Sequence, residues 1–265
     1  MSAPLSVRDG KNLAPWLRAQ VASLPRTLRF AEGASADLTV IEGQGAWTSE
    51  ALDRVNGGAR RILVVDPEAD EPSEIQRLAD VAQQADARLI LSEGFAGNPA
   101  IAGFCENLDG NYDNILLRGW ADTDNRSRLL TQIRIARALG IQLSILENVI
   151  FSTNALLAEA RGIFGGSLAF VSFGSTRTQA CAARYSLTAH SPTRIASLVL
   201  FDATNARPGE ASFVTAEGSR SLPTIYESAH RRQLRLLASD DESGSSVEEL
   251  RGFAEDVALT RAAGN

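Results

Sequence analysis

The sequence predicts an α/β half followed by an α+β half. Three observations carry this. Short apolar runs alternate with helix-period segments as far as residue 140; β-leaning runs broken by tight turns occupy residues 143–216; helix-period segments return after residue 224. Strands that alternate with helices pair in parallel through right-handed crossovers, whereas strands that succeed one another across turns pair antiparallel. A chain of 265 residues, 44% hydrophobic and 22% charged, has enough apolar material for one large or two small cores. The change of texture predicts two domains, residues 1–125 and residues 126–265.

Candidate strands lie at 27–30, 38–41, 62–65, 89–91 and 115–117, and candidate helices at 13–24, 49–55, 72–85, 100–108 and 126–139. In the third helix Ile75, Leu78, Ala79 and Ala82 recur at helical spacing, with Ser73 where an N-cap belongs. The runs 143–152, 155–163, 167–173, 183–189, 195–201 and 212–216 read as strands. Phe164-Gly165-Gly166-Ser167 between two of them is a hairpin turn. Pro192, Pro208-Gly209 and Gly218 mark further breaks. Helices are expected at 224–237 and 247–261, joined by a polar, acidic loop over 239–246.

Composition excludes several classes. A net charge of −6 argues against a nucleic-acid binder, which needs a basic face. No apolar run approaches a membrane span, and Met1–Leu5 lacks both a basic start and an apolar signal core, so a cytoplasmic location is expected. Cys105 and Cys181 lack metal-type spacing and read as buried thiols. No metal-ligand cluster or serine-nucleophile elbow stands out. Lys11 is the single lysine of the chain, so a mechanism that needs a lysine in the body of the fold is excluded.

Several local patterns resemble the glucose–fructose oxidoreductase / inositol dehydrogenase / MocA (Gfo/Idh/MocA) family. Asp37-Leu38-Thr39-Val40-Ile41, then Gly43 to Trp47 and a helix, is similar to the family's D-x-V-x-I strand, cofactor loop and adjoining helix. Ile62 to Pro67 is similar to its strand ending in Glu-Lys-Pro. The helix from Ser73 and the strand from Arg88 are similar to the family's next helix and strand. Asn98-Pro99-Ala100-Ile101 resembles the entry to a further helix, and Phe164 to Ser172 a hairpin of its C-terminal sheet. The resemblance covers roughly residues 36 to 240. It implies a Rossmann-like parallel sheet, here incomplete, followed by a mostly antiparallel sheet domain with helices. It also implies NAD or NADP as cofactor, and association through the open face of the C-terminal sheet.

Three departures qualify what the resemblance implies. The family opens with a strand and G-x-G-x-x-G, whose glycines let backbone approach a pyrophosphate. The equivalent stretch here, residues 5–12, has Gly10 alone, so the glycine-rich loop is absent. The family's lysine, which positions and polarises the substrate oxygen, is replaced by Asp66, and its glutamate by Val65; an aspartate at neutral pH cannot donate to that oxygen. The helix over residues 128–140 is similar to the family's G-x-H-x-x-D-x-x-R helix, with Arg137 at the arginine, Thr131 at the proton-transferring histidine and Arg134 at the aspartate. Neither Thr131 nor Arg134 can act as a general acid or base near pH 7.

Glu32 comes after the strand over 27–30, where a ribose-binding carboxylate would sit. Gly43, Gln44 and Gly45 would let backbone approach a ligand, and Trp47 and Pro67 flank them; a tight turn with a packed indole is the competing reading. Trp120 likewise lies at a strand end. His190 precedes Ser191-Pro192 and is the better histidine candidate for catalysis, while His230, among Glu227, Arg231 and Arg232, reads as part of a solvated helix face. Tyr226 and Arg231-Arg232 suit a surface or an interface. Three functions stay open at this point. The first is a catalytically degenerate relative, a ligand-binding homo-oligomer or the non-catalytic partner of an intact paralogue. The second is a working oxidoreductase on a sugar, polyol or similar hydroxy compound with a rebuilt site. The third is a lyase or isomerase using Asp66 or His190 as base.

Overall fold

The computed structural model describes residues 5–9, 15–25, 27–30, 36–108, 111–202, 207–238 and 246–263. Thirteen strands and seven helices are defined among them. They fall into two compact units, Met1–Gly94 with Ala229–Val257, and Phe95–Ser228 with Ala258–Asn265. The division falls at Gly94/Phe95 and not at the expected 125/126, and the chain returns to the first unit after completing the second sheet.

The first unit is built on a five-stranded parallel sheet of order β2-β1-β3-β4-β5. Its strands are β1 (Leu5–Asp9), β2 (Leu28–Phe30), β3 (Leu38–Glu42), β4 (Arg61–Val65) and β5 (Arg88–Ser92). β3 to β5 are buried on nearly every residue, as strands covered on both faces must be. Alternation assigns the faces. Val40, Leu63, Val65 and Ile90 form one core with Val21 of α1 (Pro15–Ala22) and with Leu234 and Leu237 of α6 (Ala229–Ala238). The remaining helices of the unit are α2 (Trp47–Asn56), α3 (Pro72–Gln84) and the first part of α7 (Ser246–Ala262). α7 is tied to α2 by an edge-on contact of Phe253 with Trp47, centroids 6.1 Å apart, and to α3 by Arg251, which donates to Asp80 and Gln83. α3 starts at Pro72 with Glu71 at the N-cap, so Ser73 lies inside the first turn and does not cap it. β1 is not among the strands expected from the sequence, yet it lies inside the sheet, between β2 and β3. Its register is pinned by Asp37, whose Oδ2 accepts from both the backbone N–H and the hydroxyl of Ser6 at 2.8 Å. Relative to the six-strand order 3-2-1-4-5-6 of a full dinucleotide fold, the described sheet lacks the strand beyond β2.

The second unit holds an eight-stranded sheet, order β13-β12-β11-β10-β6-β9-β8-β7. Its strands are β6 (Asn114–Ala121), β7 (Gln142–Phe151), β8 (Ala155–Phe164), β9 (Ser167–Arg177), β10 (Arg184–His190), β11 (Ile195–Phe201), β12 (Glu210–Thr215) and β13 (Gly218–Ser221). The sequence pattern assigns β6 to the parallel strands; it pairs instead with β10 antiparallel and β9 in parallel. The burial pattern explains this: β6 alternates buried and half-buried residues, the signature of a sheet with one open face. α4 (Pro99–Glu106) and α5 (Asn125–Ala138) contribute Ile101, Phe104, Leu129 and Ile133 to the covered face. Both helices begin with side-chain caps, Asn98 Oδ1 accepting from Ala100 N at 3.0 Å and Asp124 Oδ1 from Arg126 and Ser127 N. The uncovered face exposes Ile145, Ile150, Leu157, Ile163, Leu168 and Phe170.

Candidate functional site

In open parallel sheets ligands bind beyond the carboxyl ends of the strands. In the first unit the ends of β3, β4 and β5 are laced together there. Gly43 N donates to Val65 O and Glu68 N to Gly43 O, each at 2.7 Å, while Asp66 N donates to Ser92 O at 2.8 Å. Asp66 turns the chain at φ +46°, a left-handed conformation that an aspartate tolerates better than most side chains.

The Asp66 carboxylate is anchored on both oxygens. Oδ1 accepts from Gly94 N at 2.7 Å, and Oδ2 lies 3.2 Å from His230 Nε2. His230 is buried, and its Nδ1 is 2.8 Å from the hydroxyl of the fully buried Ser92. A carboxylate accepts only, so a neutral ring serving both neighbours carries its proton on Nε2 and takes the Ser92 hydroxyl proton as an acceptor at Nδ1. The solvated reading of His230 is thereby corrected. His230, Leu234 and Leu237 lie at i, i+4 and i+7, one buried stripe of α6. That spacing is the signal of its burial present in the sequence. Behind an exposed carboxylate there is thus a buried imidazole and a buried hydroxyl, an arrangement in which Asp66 is the end that meets solvent.

The candidate cofactor residues occupy different environments. Gly43 is buried, and a Cβ on it would stand 2.3 Å from Pro67 Cα, so its missing side chain serves the approach of the 66–68 turn. Gln44 and Gly45 are exposed, Gly45 at φ +60°, and Gly45 N is 3.4 Å from Glu68 Oε2. Trp47 is 1% exposed, and its indole N–H donates to Glu68 O at 3.0 Å, which makes it a packed core residue that fixes the same turn. Pro67 is half-buried. Glu32, Gly10 and the rest of the β1–α1 connection at 10–14 lie outside the described residues. A nicotinamide dinucleotide would need that connection for its pyrophosphate, and the sequence supplies one glycine there.

In the second unit Thr131 and Arg134 sit on α5. Thr131 donates to Ser127 O at 2.9 Å; Arg134 is buried. Below them Arg128, fully buried, donates from Nε to Ser175 Oγ at 2.9 Å and from its terminal nitrogens to Thr123 O and Asn125 Oδ1. His190 ends β10, half-buried; Trp120 lies under the Arg184 guanidinium, 4.7 Å from the ring centroid. Cys105 is half-buried and burial pushes its thiol up, whereas Cys181 is exposed, against the expectation of a buried thiol. Among the described residues no three His, Cys, Asp or Glu side chains come together as a metal site, and no helix is long and apolar enough to cross a membrane.

Burial pushes the Tyr185 phenol up to about 12, with smaller opposing effects from Thr131 and Arg128. The folded protein favours the protonated phenol, so this contribution is complete below the unfolded value near 10 and disappears as pH rises from about 10 to 12. Tyr185→Phe should flatten that part of the alkaline unfolding profile, read by circular dichroism against pH.

The comparisons with known proteins agree with this architecture. No protein-family model matches the sequence, and no curated protein matches it. Solved structures do. An oxidoreductase from Pseudomonas syringae superposes with a TM-score of 0.75 at 10% identity, over 97% of this chain and 95% of that one. UDP-N-acetylglucosamine 3-dehydrogenase GnnA from Acidithiobacillus ferrooxidans gives 0.71 at 14%, over 97% of each chain. An inositol dehydrogenase homologue from Azotobacter vinelandii, solved with NADH and myo-inositol, gives 0.71 at 9%, over 98% of this chain and 94% of that one. The chain therefore has the fold of the Gfo/Idh/MocA-type dehydrogenases, a parallel Rossmann-like sheet and a mostly antiparallel sheet with helices.

Proposed function

We propose that this protein is a catalytically degenerate relative of the Gfo/Idh/MocA-type oxidoreductases that binds a hydroxylated ligand, as a homo-oligomer or as the non-catalytic partner of an intact paralogue. The observation that carries this reading is the end of β4. There an acceptor, the tethered Asp66 carboxylate, stands where a lysine donor is needed for hydride transfer. Thr131 and Arg134 leave α5 without a group to move the proton near pH 7. The uncovered apolar face of the eight-stranded sheet supports assembly, since contiguous exposed apolar surface of this kind marks an interface. The test is a titration with NADH and NADPH, an assay for polyol and sugar oxidation, and the mass in solution. Ligand binding without turnover in an oligomer supports the reading; turnover, or a monomer that captures no paralogue, sinks it.

One observation favours a second reading, an active NAD- or NADP-dependent oxidoreductase with a rebuilt site. The Asp66–His230–Ser92 chain of contacts is an organised polar cluster at the ligand-binding edge of the sheet. This reading requires nicotinamide binding without the glycine loop. Absence of any cofactor binding at millimolar NADH and NADPH removes it.

A further inference from the structure

We infer that Asp66 is the ligand's hydroxyl acceptor, a fixed carboxylate that selects a compound offering a vicinal pair of hydroxyl donors. This rests on the ligand-binding reading above and names the chemistry that reading leaves open.

Four features of the site lead to it. Asp66 sits beyond the carboxyl end of β4, and its side chain is 57% exposed although its anchors are buried. A carboxylate has about four acceptor positions. One on Oδ1 is taken by Gly94 N and one on Oδ2 faces His230 Nε2, which leaves a position on each oxygen. Two neighbouring acceptors match two neighbouring hydroxyls. The anchors also remove the freedom that an exposed aspartate normally loses on binding: the backbone is bonded to Ser92 O, one oxygen to the 94 amide, and the other is backed by a ring that is itself held by Ser92 Oγ. Finally, the polarity is one-sided. Carbonyl, phosphate and carboxylate oxygens find no donor at Asp66, so the site favours an alcohol over the corresponding ketone, the reverse of what a lysine there would do.

A vicinal diol can come from a free polyol or from a ribose of a dinucleotide. Isothermal titration of the full chain with myo-inositol and, separately, with NADH distinguishes them. The expected result is binding of at least one probe, weakened about tenfold to a hundredfold in Asp66→Asn, which loses the charge but keeps the shape. In ¹⁵N-labelled protein the bound probe should also shift the His230 Nε2 resonance, a response that a purely structural Asp66 would not give. Equal affinity of wild type and Asp66→Asn overturns the inference and leaves the ligand-binding reading standing. No binding of either probe by the wild type at tens of millimolar overturns both. Should Asp66→Asn fail to fold, the wild-type His230 resonance decides: unmoved by a bound probe, it overturns the inference.

Discussion

Replacing Arg128 by alanine should lower the unfolding free energy by about 3–5 kcal/mol, the range for large truncations of buried side chains and for broken buried polar networks. Arg128 is 0% exposed at the start of α5. It spends its donors on Ser175 Oγ, Thr123 O and Asn125 Oδ1. Truncation removes the stem, leaves a cavity beside Ser175, and strips a buried hydroxyl of its donor. Arg128→Met keeps the volume and loses the hydrogen bonds. Since Thr123 and Asn125 reach solvent and Ser175 does not, methionine should cost only about 1–2 kcal/mol. Urea unfolding of the three proteins checks this. A methionine variant as damaged as the alanine one would show that hydrogen bonding, not packing, dominates at this position.

The parallel sheet was legible because β3, β4 and β5 are short, mostly apolar runs separated by helix-period segments, and a strand covered on both faces leaves that mark. β1 escaped because Leu5-Ser6-Val7-Arg8-Asp9 has two apolar residues; its place in the sheet depends on Asp37, thirty-one positions away. β6 is recognisable as a strand but its sheet is not, since its partners β9 and β10 lie far along the chain. At the site, Asp66 could be found from its position after β4. Its partner could not be found from neighbours. Arg231 and Arg232 suggested a solvated helix, and the i, i+4, i+7 stripe through His230, Leu234 and Leu237 outweighs them. The anchoring of Asp66 is tertiary in origin: Gly94 and His230 are far apart in the chain and are brought together at this carboxylate.

Gly43→Ala should destabilise the first unit by about 3 kcal/mol, far more than the same change at Gly45, two residues on. A Cβ at 43 would lie 2.3 Å from Pro67 Cα, 2.5 Å from Pro67 N and 2.7 Å from the Asp66 carbonyl carbon. All three are backbone atoms, and the proline ring fixes φ, so no rotamer change relieves the overlap. The turn must move, straining the bonds from Gly43 N to Val65 O and from Glu68 N to Gly43 O. Overpacking costs about 1–3 kcal/mol and each bond about 1. At Gly45 nothing lies within 4 Å of a new Cβ, so only the left-handed backbone at φ +60° is penalised, roughly 1 kcal/mol. Denaturant midpoints of the two variants measure the difference. A second readout comes from where the strain goes. Asp66 and Pro67 are the residues displaced, so Gly43→Ala should also disturb the Gly94 amide and His230 ring resonances, while Gly45→Ala should leave both in place. Equal, small effects of the two substitutions would mean that the 66–68 turn is slack, and a slack turn could not hold Asp66 as a fixed acceptor.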